Sequence, residues 1–304
     1  MIFNVDQSIN QKINLPAKYP VELYLKREDA IHPFVSGNKY RKLKYNLKQA
    51  KQQNAKLLIT FGGAYSNHIA AVAFAGQAKG FKTLGIIRGE ELEHKINDNA
   101  TLTYAKACGM DFKFISRSNY KQKHAPEFIQ DLEKNYNNFY LIPEGGTNNL
   151  AIKGCEEILT NNDKIFNYVC CAVGTGGTIS GLINSASQNQ KILGFPALKG
   201  SFLQEDISKF VTNKNWSLIT DYHFGGYGKV KNELVSFINQ FKLEQNILLD
   251  PVYTAKMMFG IFNMLEAGYF EPGSKILAIH TGGLQGIAGI NSILKNKNLP
   301  LISY

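Results

Sequence analysis

The chain has 304 residues, a hydrophobic content of 44% and 27 glycines, which fits an α/β protein of one large or two smaller domains. No apolar run reaches the roughly 18 residues that span a bilayer, and the first residues lack both a basic start and an apolar stretch. We therefore expect neither a membrane segment nor a secretory signal. The four cysteines form no C-x-x-C pair and have no histidine at metal-ligand spacing, which predicts a cytoplasmic protein without a metal site.

The formal net charge of +10 raises nucleic acid as a partner. The lysines, however, are spread along the whole chain, mostly on the polar faces of predicted helices, and the sequence has no basic tail and no recognisable nucleic-acid-binding module. We interpret the charge as a solvated surface and expect no nucleic-acid partner, which leaves nucleic-acid binding as a distant alternative.

The segment 26–47 carries the first chemical signal. A charged run leads into a turn over 33–38 and then into a predicted helix with Lys39 in its first turn. At 3.6 residues per turn, Lys39 shares a stripe with Leu43 and Leu47, whereas the other basic residues of the helix are predicted to face water. Those residues are Arg41, Lys44, Lys48 and Lys51. Burial favours the neutral amine that Schiff-base chemistry needs; the alternative is a lysine at a frayed helix start that extends into solvent.

Strand-like apolar runs recur along the chain, mostly separated by segments of helix length. They are 57–61, 83–88, 112–116, 139–143, 168–173, 192–197 and 276–281. This alternation predicts the α/β class, with two three-layer α/β domains built on mostly parallel sheets. We predict a large domain from residues 1–47 plus 147–304 and a small domain from 48–146, with a hinge at 145–149. A ligand would lie in the interdomain cleft, at the carboxyl ends of the strands.

The first strand-to-helix turn lies within 60–76. Two glycines follow the strand, and Ser66, Asn67 and His68 open an alanine-rich helix. Free backbone N–H groups beside small polar side chains can bind an anion such as a carboxylate. The alternative is that Ser66 or Asn67 only caps the helix.

The second turn gives a stronger signal. Small residues separate an apolar strand from a helix, and they are Gly174, Thr175, Gly176, Gly177 and Thr178. Consecutive N–H groups and two hydroxyls can surround a phosphate. The loop is not a P-loop, since no Gly-Lys-Ser/Thr follows, and it lacks the third glycine of a dinucleotide fingerprint. A single phosphate on a small cofactor fits best, and a glycine turn without a ligand is the alternative.

The third turn follows the strand at 276–281. Thr281 lies at the predicted strand end, where its hydroxyl could face a ring nitrogen, and two glycines follow. Upstream, Pro251 stands at a strand-like end, and Tyr253 and Thr254 open a helix. A tyrosine there commonly packs in a core, but next to an amino-acid site it could act as a general acid.

Taken together, these segments resemble one family. The motifs are GNK-x-RKL (37–43), GGAYSNH (62–68), PEGGTN (143–148), VGTGGT (173–178), LDPVY (249–253) and HTGG (280–283), in this order across nearly the whole chain. The chain is identified as similar to the pyridoxal-phosphate (PLP) enzymes of the 1-aminocyclopropane-1-carboxylate (ACC) deaminase and D-cysteine desulfhydrase family. The resemblance implies the tryptophan synthase β-like fold, pyridoxal 5'-phosphate as cofactor, a small amino-acid substrate and a homodimer.

The resemblance also implies roles for individual residues. Lys39 would hold the cofactor as a Schiff base and, once released, take the Cα proton, while Lys42 and the loop 174–178 would bind the cofactor phosphate. Asn67 would bond the pyridine 3-oxygen, and Ser66 with its neighbours, including His68, would hold the substrate carboxylate. Two tyrosines, Tyr253 and Tyr227, match the family's active-site tyrosines and are candidate proton donors to the departing group. The cofactor would supply the electron sink.

Two positions favour one member of the family. ACC deaminases carry Glu after the tyrosine of DPVY and Leu in place of the threonine of HTGG, whereas this chain has Thr254 and Thr281. A hydroxyl is a weaker partner for the pyridine nitrogen than a carboxylate, and it suffices for β-elimination of a good leaving group such as thiolate. The resemblance thus implies a lyase acting on D-cysteine or a related β-substituted D-amino acid to give pyruvate, ammonia and sulfide. The alternatives are ACC deamination to 2-oxobutanoate and ammonia, and a non-catalytic phosphate- or amino-acid-binding protein.

Overall fold

The computed structural model describes residues 5–32, 35, 37–200 and 202–304. The turn predicted over 33–38 includes residues 33, 34 and 36, which lie outside the described residues. The strands are β1 (Asn10–Ile13), β2 (Glu22–Lys26), β3 (Leu57–Gly62), β4 (Lys82–Arg88), β5 (Met110–Ile115), β6 (Phe139–Ile142), β7 (Tyr168–Val173), β8 (Lys191–Pro196), β9 (Trp216–Leu218) and β10 (Lys275–Ile279). The helices are α1 (Asn38–Gln52), α2 (Asn67–Lys79), α3 (Ala100–Ala107), α4 (Arg117–Lys121), α5 (Pro126–Asn135), α6 (Asn149–Glu156), α7 (Gly177–Ser185), α8 (Phe202–Ser208), α9 (Asn232–Gln245), α10 (Thr254–Glu266) and α11 (Gly286–Asn296).

The strands form two sheets. The larger sheet has the order β1-β2-β10-β7-β8-β9, and all its pairs are parallel except β1 with β2. The smaller sheet has the order β5-β4-β3-β6 and is parallel throughout. The prediction of an α/β protein with mostly parallel sheets is confirmed.

Both faces of each sheet are covered by helices. Along β7, Cys170 belongs to a core shared with α9, α10 and α11, whereas Val169 and Cys171 belong to a core shared with α6, α7 and α8. The smaller sheet is covered by α1, α2 and α3 on one face and by α4 and α5 on the other. Because side chains alternate between faces, buried parallel strands are apolar on both sides, which produces the continuous apolar runs in the sequence.

All seven predicted strands are present, with ends shifted by at most two residues. Among the described residues three strands were missed, namely β1, β2 and β9, because they are short or carry charged residues that interrupt an apolar run. The strand-like end predicted before Pro251 is wrong, since residues 247–250 are irregular. Thr281 also lies two residues beyond the end of β10.

The prediction that Arg41 faces water is wrong. Its side chain is buried and its guanidinium donates to Glu28, with Nε 2.9 Å and Nη2 2.8 Å from the carboxylate oxygens. Helical periodicity could not reveal this partner, because Glu28 lies in a different element and meets α1 only after folding.

All four strands of the smaller sheet lie between Leu57 and Ile142, and the strands of the larger sheet lie outside this interval. We propose that the domain boundaries follow the predicted division, 1–47 plus 147–304 and 48–146. The helix α1 would then cross the boundary and connect the two parts.

The strand order of each sheet reverses once, and this reversal indicates where a ligand would bind. In the larger sheet the chain moves outward from β7 through β8 to β9, whereas β10 lies on the other side of β7. In the smaller sheet it moves from β3 through β4 to β5, with β6 on the other side of β3. Ligands of open α/β sheets bind at such reversals, beyond the carboxyl ends of the strands. The loops there follow β3, β6, β7 and β10, and three of them are the turns identified from the sequence.

Candidate active site

Lys39 lies in the first turn of α1, next to the loop after β10. Gly37, the residue just before α1, has φ +55°, and a Cβ there would overlap the backbone carbonyl of Thr281. Only glycine therefore allows the start of α1 to lie this close to the loop after β10. The Lys39 amine lies 3.2 Å from Asn38 Oδ1. Burial, assisted by the positive charge of Lys42, lowers the pKa of Lys39 to about 7. A large fraction of this amine is therefore neutral and nucleophilic near pH 7.

Lys42 lies one turn further along α1 and is 2% exposed. Its ammonium donates to the carbonyl of Gly145 at 3.0 Å and to Thr147 Oγ1 at 3.1 Å, and burial lowers the pKa of Lys42. Both of these partners are neutral and belong to the loop after β6. A buried ammonium with neutral partners would be stabilised by an anion.

The loop after β7 forms a cradle beside Lys42. Thr175 Oγ1 lies 2.6 Å from Thr147 Oγ1, and Thr178 Oγ1 accepts a hydrogen bond from the Asn38 amide at 2.9 Å. A Cβ on Gly177, the first residue of α7, would lie 2.8 Å from Thr147 Oγ1 and 3.1 Å from Lys42 Nζ. The backbone here is thus closely approached by an ammonium and hydroxyls, as a phosphate site requires.

The cradle gives a testable prediction. We expect Gly177→Ala to weaken PLP binding at least tenfold, because the added Cβ crowds Lys42 and Thr147 where the phosphate would bind. The measurement is a titration of the apo-protein with PLP, followed by absorbance. The exposed Asn189, in the loop after the same helix, offers the matched control Asn189→Ala. Equal affinity of Gly177→Ala and the wild type would exclude the cradle as the phosphate site.

The turn after β3 presents Ser66, Asn67 and His68 at the start of α2. Ser66 caps the helix, since its hydroxyl oxygen accepts from the backbone N–H of His68 at 3.2 Å. The Asn67 amide lies beside Gly283, and its Oδ1 is buried with no hydrogen-bond partner among the described residues. This orphaned polar atom lies where an exogenous donor could satisfy it.

His68 is 2% exposed, and its Nε2 lies 2.8 Å from Thr60 Oγ1, which in turn donates to the carbonyl of Ile142. Burial, followed by the charges of Lys39 and Lys42, lowers the pKa of His68 well below its ordinary value. A neutral ring held by β3 would shape the site from behind, and direct binding of substrate by His68 stays a prediction.

At the start of α10, Asp250 organises two predicted site residues. Its carboxylate accepts from the backbone N–H groups of Val252, Tyr253 and Thr254, at 2.9, 3.0 and 2.7 Å. Thr254 is fully buried, and its Oγ1 has no hydrogen-bond partner among the described residues. A buried hydroxyl without a partner is a second free polar atom for a cofactor or substrate.

Tyr253 and Tyr227 come from different segments and meet with ring centroids 6.0 Å apart in an edge-to-face arrangement. Tyr253 also adjoins the phosphate cradle, because a Cβ on Gly174 would lie 3.3 Å from its hydroxyl oxygen. Burial raises the pKa of both phenols, and that of Tyr253 rises well above its ordinary value. Tyr227 is 46% exposed, so we expect burial to raise the pKa of Tyr253 more than that of Tyr227. Both phenols hold their protons at neutral pH.

The donor set fits pyridoxal phosphate. A lysine with a pKa of about 7 suits Schiff-base chemistry, and a buried ammonium with glycine and threonine groups suits the phosphate. Two orphaned polar atoms, Asn67 Oδ1 and Thr254 Oγ1, suit the polar edge of a ring. Sequence reasoning missed Asp250, although an Asp just before a helix is a recognisable capping signal, and it missed Asn38 next to Lys39.

Comparisons with known proteins indicate the same cofactor class. Residues 10–282 match the family model described as pyridoxal-phosphate dependent enzyme. A protein of Pyrococcus horikoshii named "Putative 1-aminocyclopropane-1-carboxylate deaminase" is 30% identical over 297 residues, which cover 90% of this chain and 88% of that protein. The mitochondrial "Bifunctional D-cysteine desulfhydrase/1-aminocyclopropane-1-carboxylate deaminase" of Arabidopsis thaliana is 29% identical, with 88% of this chain and 73% of that protein covered. A crystal structure of an ACC deaminase homologue superposes with a TM-score of 0.82 at 26% identity, and covers 95% of this chain and 93% of that one.

Proposed function

We propose that this chain, which belongs to the pyridoxal-phosphate dependent enzyme family, is a lyase. It would eliminate the β-substituent of D-cysteine or a related β-substituted D-amino acid. The products from D-cysteine and water are pyruvate, ammonia and sulfide. The observation that carries the choice of reaction is the buried Thr254, which presents a hydroxyl with no partner among the described residues where ACC deaminases carry a carboxylate. The relatives of this chain include a bifunctional protein named for both D-cysteine desulfhydrase and ACC deaminase activity, which supports assigning both candidate reactions to one site.

The residues of the chain divide the work. Lys42, Gly177 and Thr178 would hold the phosphate, and Asn67, Thr254 and Thr281 would face the ring. Pyridoxal phosphate, when bound, supplies the electron sink that makes loss of the Cα proton feasible. Lys39 Nζ, partly neutral at pH 7, would accept that proton. The N–H groups at Ser66 would orient the substrate carboxylate.

The tyrosine pair would serve the departing group. Tyr253 keeps its proton because burial raises its pKa, so its hydroxyl can donate that proton to the sulfur as the C–S bond breaks, and the sulfur then leaves as hydrogen sulfide. Tyr227 contacts the Tyr253 ring edge to face and would orient it. A proton donor next to the leaving sulfur lowers the barrier because an unprotonated sulfide is a poorer leaving group.

The test is the release of 2-oxo acid by the PLP-loaded protein from D-cysteine, L-cysteine and ACC in parallel. We expect pyruvate from D-cysteine and little product from the other two. Formation of 2-oxobutanoate from ACC as the main activity would replace elimination with the alternative, cyclopropane ring opening. No product from any of the three would contradict both assignments.

Thr254 and Thr281 give a second prediction. We expect Thr254→Glu with Thr281→Leu to shift the ratio of D-cysteine to ACC turnover toward ACC at least tenfold, because a carboxylate near the ring nitrogen favours its protonated form. The control is Thr254→Gln with Thr281→Leu, which has nearly the same size without the charge. If both double variants shift the ratio equally, or neither does, the charge at position 254 does not select the substrate.

We also propose that the protein is a cytoplasmic homodimer. The family resemblance supports the dimer, and the four cysteines, all buried free thiols, are compatible with a reducing compartment. In the described part of the chain no helix is both long and apolar enough to cross a membrane. Light scattering coupled to size-exclusion chromatography would test the dimer, and a mass of one chain would contradict it.

A further inference from the structure

The segment 221–228, which carries Tyr227, has an unfavourable backbone. Positive φ values occur at Phe224 (55°), Gly225 (93°), Gly226 (118°) and Gly228 (66°). Three of these residues are glycines, which tolerate such angles, but Phe224 is not. A phenylalanine in this region costs free energy and persists only where surrounding contacts hold it. Within the segment, the Gly225 N–H donates to His223 Nδ1 at 2.9 Å and the Gly226 N–H to the His223 carbonyl at 3.0 Å. Support from outside the segment adds to these bonds in keeping Tyr227 in one place.

Lys256, in the first turn of α10, supplies that support. Its side chain is 2% exposed, and its ammonium donates to the carbonyl of His223 at 2.9 Å and to that of Gly226 at 2.8 Å. These carbonyls lie on either side of Phe224 and Gly225, so a single group holds both ends of the turn that precedes Tyr227. Phe224 adds an edge-to-face contact with Phe259 of α10, with ring centroids 5.0 Å apart.

Burying a lysine at this position costs desolvation free energy. Its neighbours Met257 and Met258 are fully buried in the core, and burial lowers the pKa of Lys256 to about 8, with the negative charge of Asp250 opposing that shift. An apolar side chain would fill the same space without the desolvation cost of an ammonium. The two hydrogen bonds that the lysine donates to the loop offset this desolvation cost.

The same turn of α10 also fixes Tyr253. Asp250 accepts from the N–H groups of Tyr253 and Thr254, and the Tyr253 ring contacts that of Tyr227. One helix start thus positions one tyrosine directly and the other through Lys256.

We propose that Lys256 is a positioning residue that holds the segment 221–228 by the carbonyls of His223 and Gly226, so that Tyr227 stays against Tyr253. The inference rests on the proposed function of the tyrosine pair. It assigns Lys256 no contact with the substrate or the cofactor.

The test compares the PLP-loaded wild type with Lys256→Met, and with Lys229→Met as control. Lys229 is exposed at the end of the same loop, and its substitution by Met removes the same charge. We expect hydrogen–deuterium exchange of the amides in 221–228 to become at least tenfold faster in Lys256→Met only. We expect kcat for 2-oxo acid release to fall about tenfold to a hundredfold with KM within about threefold, because a displaced general-acid pair affects turnover more than binding.

Tyr227→Ala, which removes the ring that contacts Tyr253, separates positioning from general destabilisation. If Lys256 acts through Tyr227, adding Lys256→Met to Tyr227→Ala lowers kcat by less than about twofold further. Full additivity of the two losses, or unchanged exchange in Lys256→Met, would overturn the proposal. If Lys256→Met does not fold, Lys256→Ala, which also removes the N–H donors to the two carbonyls, replaces it under the same criteria. A wild type inactive on every substrate would refute the proposed function, while the exchange data would still decide whether Lys256 holds the loop.

Discussion

Lys39→Ala is expected to abolish turnover of every substrate and to remove the absorbance of covalently held cofactor. Lys39 is the residue whose amine combines a position in the site with a pKa lowered to about 7, and alanine has no group that can replace it. Loss of at least a thousandfold in kcat is expected for removal of a group that serves both attachment and proton transfer. The matched control is Lys48→Ala, an exposed lysine on the same helix, which should retain wild-type activity.

A readout independent of activity accompanies this prediction. Borohydride reduction of the loaded wild type should fix PLP on the peptide that contains Lys39, and reduction of Lys39→Ala should leave that peptide unlabelled. Because only the neutral amine reacts, the rate at which the apo wild type captures PLP should rise with pH through about 7 and level off above it. Label on Lys42 in the wild type, or substantial elimination by Lys39→Ala without an added amine, would show that the assignment of Lys39 is wrong.

Tyr253→Phe is expected to lower kcat for D-cysteine about a hundredfold while KM changes by less than about threefold. The substitution removes a single hydroxyl, whose pKa is raised by burial and which lies beside the loop after β7. General acid catalysis contributes on the order of a hundredfold to ten-thousandfold, and it acts on the chemical step rather than on binding. Steady-state kinetics with D-cysteine measures both parameters.

Tyr222→Phe is the control for this change. Tyr222 belongs to the same loop as Tyr227 and packs near Phe259 of α10, with ring centroids 6.4 Å apart, so it reports the cost of removing a phenol hydroxyl close to the site. A substrate with a better leaving group should restore part of the Tyr253→Phe activity, because less protonation is then required. If Tyr253→Phe stays within about twofold of the wild type, Tyr253 is not the proton donor, and Tyr227 becomes the candidate.

The strands and the chemical motifs could be predicted from the sequence because both are local. Runs such as 57–61 and 168–173 are apolar throughout, since parallel strands buried on both faces require it, and the structure has strands there. Gly37 and Gly177 lie where other groups approach the backbone closely. Such positions require glycine, so they can be recognised in the sequence. The cofactor class and the fold were implied by the family resemblance of the site motifs, and the family match confirms them.

Partners brought together by folding could not be predicted, because no local pattern encodes them. Arg41 was expected in water and is instead paired with Glu28. Lys26, at the end of the missed strand β2, is buried beside Asp163 at 2.9 Å, although charged residues in a run argue against a central strand. A buried charge depends on its partner, and the partner's position depends on the whole fold.

The sequence by itself determined the α/β class and the order of the site motifs, since periodicity, small residues and turn chemistry act over a few residues. The resemblance of those motifs to a known family implied the PLP chemistry. The tertiary structure decided how the loops after β3, β6, β7 and β10 converge, because strand order is set by the packing of whole sheets. It also decided that Lys256 faces the Tyr227 loop and that Thr254 Oγ1 is buried without a partner among the described residues. Hydrogen bonds between residues about thirty positions apart form only when the chain that separates them has folded.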